Sequence, residues 1–130
     1  MAIKAQYLSE TRRLLADADR ARVGRDAPIT LGKAKQLLAD AERELSENRY
    51  DTDLPRSLAQ QANYEAKHAI YLSEIVRKVR DKDLTAEQLV LQWETSLRAI
   101  AGVADVVPAM ENGPDKLTTA LVNYFEDQAR

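Results

Sequence analysis

The chain has 130 residues, 31% of them charged, and a formal net charge of -2 at pH 7. That length buries one modest core, and Lys and Arg are interleaved with Asp and Glu, which argues against a nucleic-acid partner. With no Cys there is no disulfide, no thiolate nucleophile and no Cys-based zinc site.

No apolar run is long enough to cross a bilayer, so no membrane insertion of this segment is expected. Residues 1–10 hold no apolar h-region, so no signal peptide is read in the chain.

A first helix is expected over residues 2–22. Ile3, Tyr7, Leu14, Ala18 and Ala21 share a face, Leu8 and Leu15 widen it, and Thr11 interrupts it. Residues 24–28 end this helix: Gly24 offers a C-terminal cap, and the residue before Pro28 is pushed out of the α region. A second helix runs from Pro28 or Thr30 to Glu47. Leu31, Ala34, Leu38, Ala41 and Leu45 repeat along it, with Leu37 alongside. Gly32 in its first turns costs up to about 1 kcal/mol relative to Ala, which suggests a frayed start or a close backbone contact. Leu14, Leu15, Ala16, Asp17, Ala18, Asp19 and Arg20 recur 23 positions on as Leu37, Leu38, Ala39, Asp40, Ala41, Glu42 and Arg43. Two copies are expected from amphipathic helices sharing one alphabet, with a repeat architecture as the other reading.

The polar run 48–53 carries Tyr50 and leads into a long central helix over about residues 54–82. Asp53 serves as its N-cap, and Pro55 sits in the first turn. Ala59, Ala62, Ala66, Ala69, Ser73 and Val76 form a stripe of small side chains, which lets the second helix approach closely through Ala34, Leu38 and Ala41. Nearly opposite lies a second stripe of Tyr64, His68, Tyr71 and Ile75. Thr85 with Gln88 makes a capping box for a fourth helix. There Ala86, Val90, Trp93, Leu97, Ile100 and Ala104 share a face, Trp93 is expected in the core, and Gly102 could end the helix early. Pro108 offers a short helical turn. Asn112, Gly113 and Pro114 break the chain before a fifth helix, which turns Leu117, Leu121, Tyr124 and Phe125 inward. The expected fold is all-α: a five-helix bundle around the long central helix, with up-down connections, forming one helical domain over 1–130.

Chemistry-bearing patterns are sparse. His68 with Tyr64 and Tyr71, and Tyr50 from the loop, make a candidate interaction face. It is either a ligand-contacting or pH-sensitive ridge or ordinary interhelical packing. Glu65 and His68 match half of a carboxylate-bridged dimetal motif, but the second His is missing, so no metal site is expected. The four Gly are isolated, which leaves no phosphate-cradling loop, and no Ser lies in a Gly-flanked strained turn. Asp17 and Asp40 fall at equivalent repeat positions and read as solvated surface rather than an acid–base pair. Arg49, Arg56, Arg77, Lys78 and Arg80 are interleaved with acids, which favours a solvated face over an anion-binding patch. No catalytic residue and no cofactor are expected, so the chain reads as non-enzymatic.

The Ala- and Leu-rich helix containing Leu31, Gly32, Lys33 and Ala34 joins, across a polar loop with Tyr50 and Asp51, a helix carrying Leu58, Ala59, Gln60, Gln61 and Ala62, then Glu65, Ala66, Lys67, His68 and Ala69. This pair resembles the helical domain of unknown function that precedes OmpA-like peptidoglycan-binding domains in Gram-negative envelope lipoproteins. Residues 84–130 resemble the helical segment leading into the OmpA-like domain. The resemblance implies a piece of a longer envelope protein, periplasmic and associated with the outer membrane through parts not in this chain. Its implied role is as a non-catalytic spacer or interaction module with an envelope or cell-wall-associated partner. The chain departs from the full pattern: it has no lipid-attachment Cys and no OmpA-like domain, so no peptidoglycan-binding residue carries over. A small-ligand or glycan-binding bundle using Tyr64, His68 and Tyr71 is the alternative, and a monomer is expected over a homodimer.

Overall fold

The structure, a computed structural model, describes residues 2–48 and 53–130. Every regular element is a helix, and no strand forms among the described residues. The helices are α1 (Ala2–Arg20), α2 (Val23–Asp26), α3 (Pro28–Glu47), α4 (Asp53–Arg80), α5 (Ala86–Ala104) and α6 (Asp115–Gln128). Six helices stand among the described residues where five were expected. The chain divides into two compact units, Met1–Asp81 and Lys82–Arg130.

The added helix, α2, forms where a plain break was expected. α1 stops at Arg20, and Arg22 rather than Gly24 takes the left-handed conformation, with φ 58°. Such a turn costs a non-Gly residue about 1–2 kcal/mol. What offsets it is the turn that follows: Val23 is 1% exposed, and Asp26 meets two Arg side chains of α4. Ala27, before Pro28, sits outside the α region as expected, at φ -135° and ψ 58°.

The core of the first unit is built on α4. Ala59, Ala62, Ala66, Ala69 and Ser73 are all buried, while Val76, expected in the same stripe, is 40% exposed. α3 packs on this stripe through Leu31, Ala34, Leu38 and Ala41. α1 packs on α4 through Leu8, Thr11, Leu15 and Ala18. Each of these α1 positions lies 23 residues before its α3 counterpart, so the two helices use one spacing against one partner. The α1 face is therefore rotated from expectation. Leu8 and Leu15 are its centre, Tyr7 and Leu14 are half-buried, Ala21 is exposed, and the Ile3 side chain lies outside the described set. Thr11 does not interrupt the face. Its hydroxyl donates to the Tyr7 carbonyl at 3.1 Å and reaches the Ala59 carbonyl of α4 at 3.5 Å, a contact available only because small residues bring the backbones together. Gly32 lies within regular helix, and nothing stands within 4 Å of where a Cβ would be. Neither a fray nor a close contact explains it.

In the second unit α5 opens on the expected capping box. The Gln88 amide donates to Thr85 Oγ1 at 3.1 Å, and the Thr85 amide donates to Gln88 Oε1 at 2.9 Å. α5 continues through Gly102 and ends at Asp105, which is left-handed at φ 54°. Residues 106–110 form no helix, so Pro108 opens no helical turn; instead the Ala109 amide donates to the Val107 carbonyl across it at 2.9 Å. Ala101, Ala104, Met110, Leu117 and Leu121 make the core, flanked by Leu97, Val106 and Tyr124. Trp93, expected inside, is 72% exposed, and Val90, Ile100 and Phe125 are exposed as well. Buried partners meet only the C-terminal half of the α5 stripe, from Leu97 onward. The N-terminal half keeps its apolar face toward solvent.

Candidate functional site

Two grooves concentrate the chemistry, one in each unit. The first lies between α3 and α4. The stripe opposite the Ala face of α4 is a surface: Tyr64 is 64% exposed, Tyr71 57%, and His68 is half-buried. The Tyr64 and His68 rings meet at 5.8 Å between centroids, tilted by 38°. His68 Nδ1 lies 4.0 Å from Glu65 Oε2, and Glu65 Oε1 lies 3.5 Å from Lys33 Nζ of α3. On the preceding turn Gln61 Nε2 donates to Ser57 Oγ at 3.2 Å. Of these side chains Tyr64, Glu65, Lys33, Gln61 and Ser57, with Leu37 and Gln60, line a groove of about 270 Å³, and His68 does not. The expected interaction face is thus partly assembled. Tyr64 and His68 come together, Tyr71 stands two turns further along the exposed side, and Tyr50 lies outside the described residues. Of the polar walls only Glu65 carried a sequence signal; Lys33, Ser57, Gln60 and Gln61 read as ordinary solvated helix surface.

The second groove belongs to the unit of α5 and α6. Leu89, Val90, Trp93, Leu97, Met110 and Pro114 line a volume of about 310 Å³ that is almost wholly apolar. Glu94 at its edge is held by Arg98 at 3.2 Å. Sequence periodicity assigned Val90, Trp93 and Leu97 to the core. It could signal the apolar face, but not that half of that face goes uncovered.

Arg56, Arg77 and Arg80 of α4 are each engaged within the first unit, while Lys78 is exposed. Arg77 and Arg80 converge on Asp26, whose side chain is 4% exposed. Arg77 also donates to the Ala21 carbonyl at 3.4 Å, and Arg56 lies over the Tyr7 ring at 5.7 Å. Arg49 falls outside the described residues. Asp17 and Asp40 each pair with the Arg three residues on, Arg20 and Arg43, so the two repeat copies share their local ion pair as well as their buried positions. Among the described residues no three His, Asp or Glu side chains gather as a metal would require, and no helix is long and apolar enough to cross a membrane. No family model, curated protein or solved structure matches this chain.

Proposed function

We propose that this chain is a non-catalytic periplasmic helical module, acting as a spacer or protein-interaction domain of an OmpA-like cell-envelope protein. The observation that carries the interaction role is the apolar groove around Trp93. A contiguous exposed apolar surface of this kind is characteristic of partner sites, and Trp is enriched at their energetic centres. The envelope assignment is supported by the resemblance of the α3–α4 pair to the helical domain that precedes OmpA-like modules. On this reading α1, α3 and α4 run up and down, the topology favoured by short connections such as residues 48–52, and the chain is a monomer until it meets its partner.

Two measurements test this. A fusion of the natural gene to a reporter active only outside the cytoplasm is expected to be active; an inactive fusion removes the periplasmic assignment. Cross-linking in intact cells is expected to capture an envelope protein through wild-type chain and to lose it with Trp93→Glu. Capture of cytoplasmic proteins alone contradicts the envelope role, and capture that survives Trp93→Glu moves the interface elsewhere. A second reading has an observation of its own: the groove beside Tyr64 gives the exposed face of α4 a concave surface, which a small-ligand role requires.

A further inference from the structure

The groove beside Tyr64 combines an exposed aromatic ring, two side-chain amides, a hydroxyl and a self-neutralised ion pair. We propose that it binds one neutral sugar ring, seated against Tyr64 and held at its hydroxyls by Gln60 and Gln61. The inference rests on the small-ligand reading of this face and names its ligand class.

A sugar ring has two kinds of surface. Its C–H-rich face is apolar enough to lie on an aromatic ring, while its edge carries adjacent hydroxyls that each donate and accept. Tyr64 supplies the platform: it is 64% exposed, with the His68 ring 5.8 Å away on the next turn. A primary amide offers a donor and an acceptor side by side, a match for two neighbouring hydroxyls. Gln61 is already oriented by its bond to Ser57 at 3.2 Å, which lowers the entropy lost on binding and leaves its carbonyl oxygen to accept. Lys33 and Glu65, 3.5 Å apart, are of opposite sign, so the groove's lining carries no net charge. Both retain hydrogen-bonding capacity for hydroxyls. Leu37 gives the wall one apolar point. The volume of about 270 Å³ lies just below the range usual for drug-sized ligands, which suits one ring, with any further residues of a chain outside. A shallow groove of this kind binds weakly, with Kd on the order of 1 mM.

The test is titration of the isotope-labelled full chain, followed by the side-chain amide resonances of Gln60 and Gln61. The probes are cellobiose, N,N′-diacetylchitobiose and, as a non-sugar, phenol. Saturable shifts of those amides are expected with at least one disaccharide. Tyr64→Ala, at a position 64% exposed, is expected to leave the melting temperature unchanged and to weaken binding about tenfold, and Tyr71→Ala, outside the groove, to leave it intact. Shifts with phenol but neither sugar overturn the sugar assignment while leaving a small-ligand site. No shift with any probe overturns both. Sugar shifts that persist unchanged in Tyr64→Ala place binding elsewhere and also overturn the proposal.

Discussion

At the scale of single residues, Asp26 is a buried charge with two Arg partners. Its side chain is 4% exposed, Arg80 bonds one oxygen, and the other oxygen has no hydrogen bond, with Arg77 Nε at 3.9 Å. The two Arg side chains are 46% and 36% exposed, so they can turn to water if Asp26 is neutralised. The carboxylate cannot do the same if they are removed. Asp26→Asn is therefore expected to cost about 1 kcal/mol. The Arg77→Ala, Arg80→Ala pair, which strands a buried charge, is expected to cost about 3 kcal/mol. Urea melts that ranked the two in the reverse order would show that Asp26 has access to water. Gly32 is the opposite case. It sits in the interior of α3 with open space where a side chain would go, so Gly32→Ala is expected to stabilise by about 1 kcal/mol. A lowered melting temperature would reveal a contact at this position that the backbone geometry does not require.

At the scale of elements, α4 is the scaffold, and its Ala stripe sets how closely α1 and α3 approach. Ala66 is fully buried, as are Ala34 and Ala41 on α3. Ala66→Leu is therefore expected to destabilise by about 1–3 kcal/mol through overpacking, and an unchanged thermal midpoint would contradict the close packing. This stripe was legible in the sequence because small residues at regular spacing have few other uses. The α1 face was legible only to within a rotation. Thr11 looked like an interruption, since no sequence pattern reveals that its hydroxyl can return to the Tyr7 carbonyl and so bury at no hydrogen-bonding loss. The polar walls of the α3–α4 groove were not legible either, because Lys33 and Gln61 resemble any solvated helical residue until two helices set them side by side. Trp93 shows the limit most clearly. Periodicity says which side chains share a face, not whether anything covers it. At 72% exposure, Trp93→Ala is expected to cost less than about 1 kcal/mol, and the native emission of this single Trp should be that of a water-exposed indole. A blue-shifted maximum in dilute solution would mean the face is covered.

At the scale of the whole molecule, the two units carry unequal cores. In the first, α4 is flanked by two helices that repeat one burial pattern, and among the described residues thirteen buried apolar side chains form a single cluster. In the second, α5, α6 and the segment between them supply five, namely Ala101, Ala104, Met110, Leu117 and Leu121, and two of these are Ala, which bury little area. A core of that size in a unit of fewer than about 70 residues supplies only a few kcal/mol, and the exposed apolar face of α5 contributes nothing in the absence of a partner. The capping box at Thr85 and Gln88 adds about 1 kcal/mol locally without extending the core. Local opening should therefore be easier in α5 and α6 than in α3 and α4. Hydrogen exchange on the full chain is expected to give amides of residues 97–104 and 117–124 protection several tens-fold lower than those of residues 34–41 and 62–69, a gap of about 2 kcal/mol. A ligand or partner seated on the Trp93 groove should narrow that gap, since binding to the closed state stabilises it by mass action. Equal protection in both units of the free chain would show that they open together, and that the small core of α5 and α6 is not the weak point its contents imply.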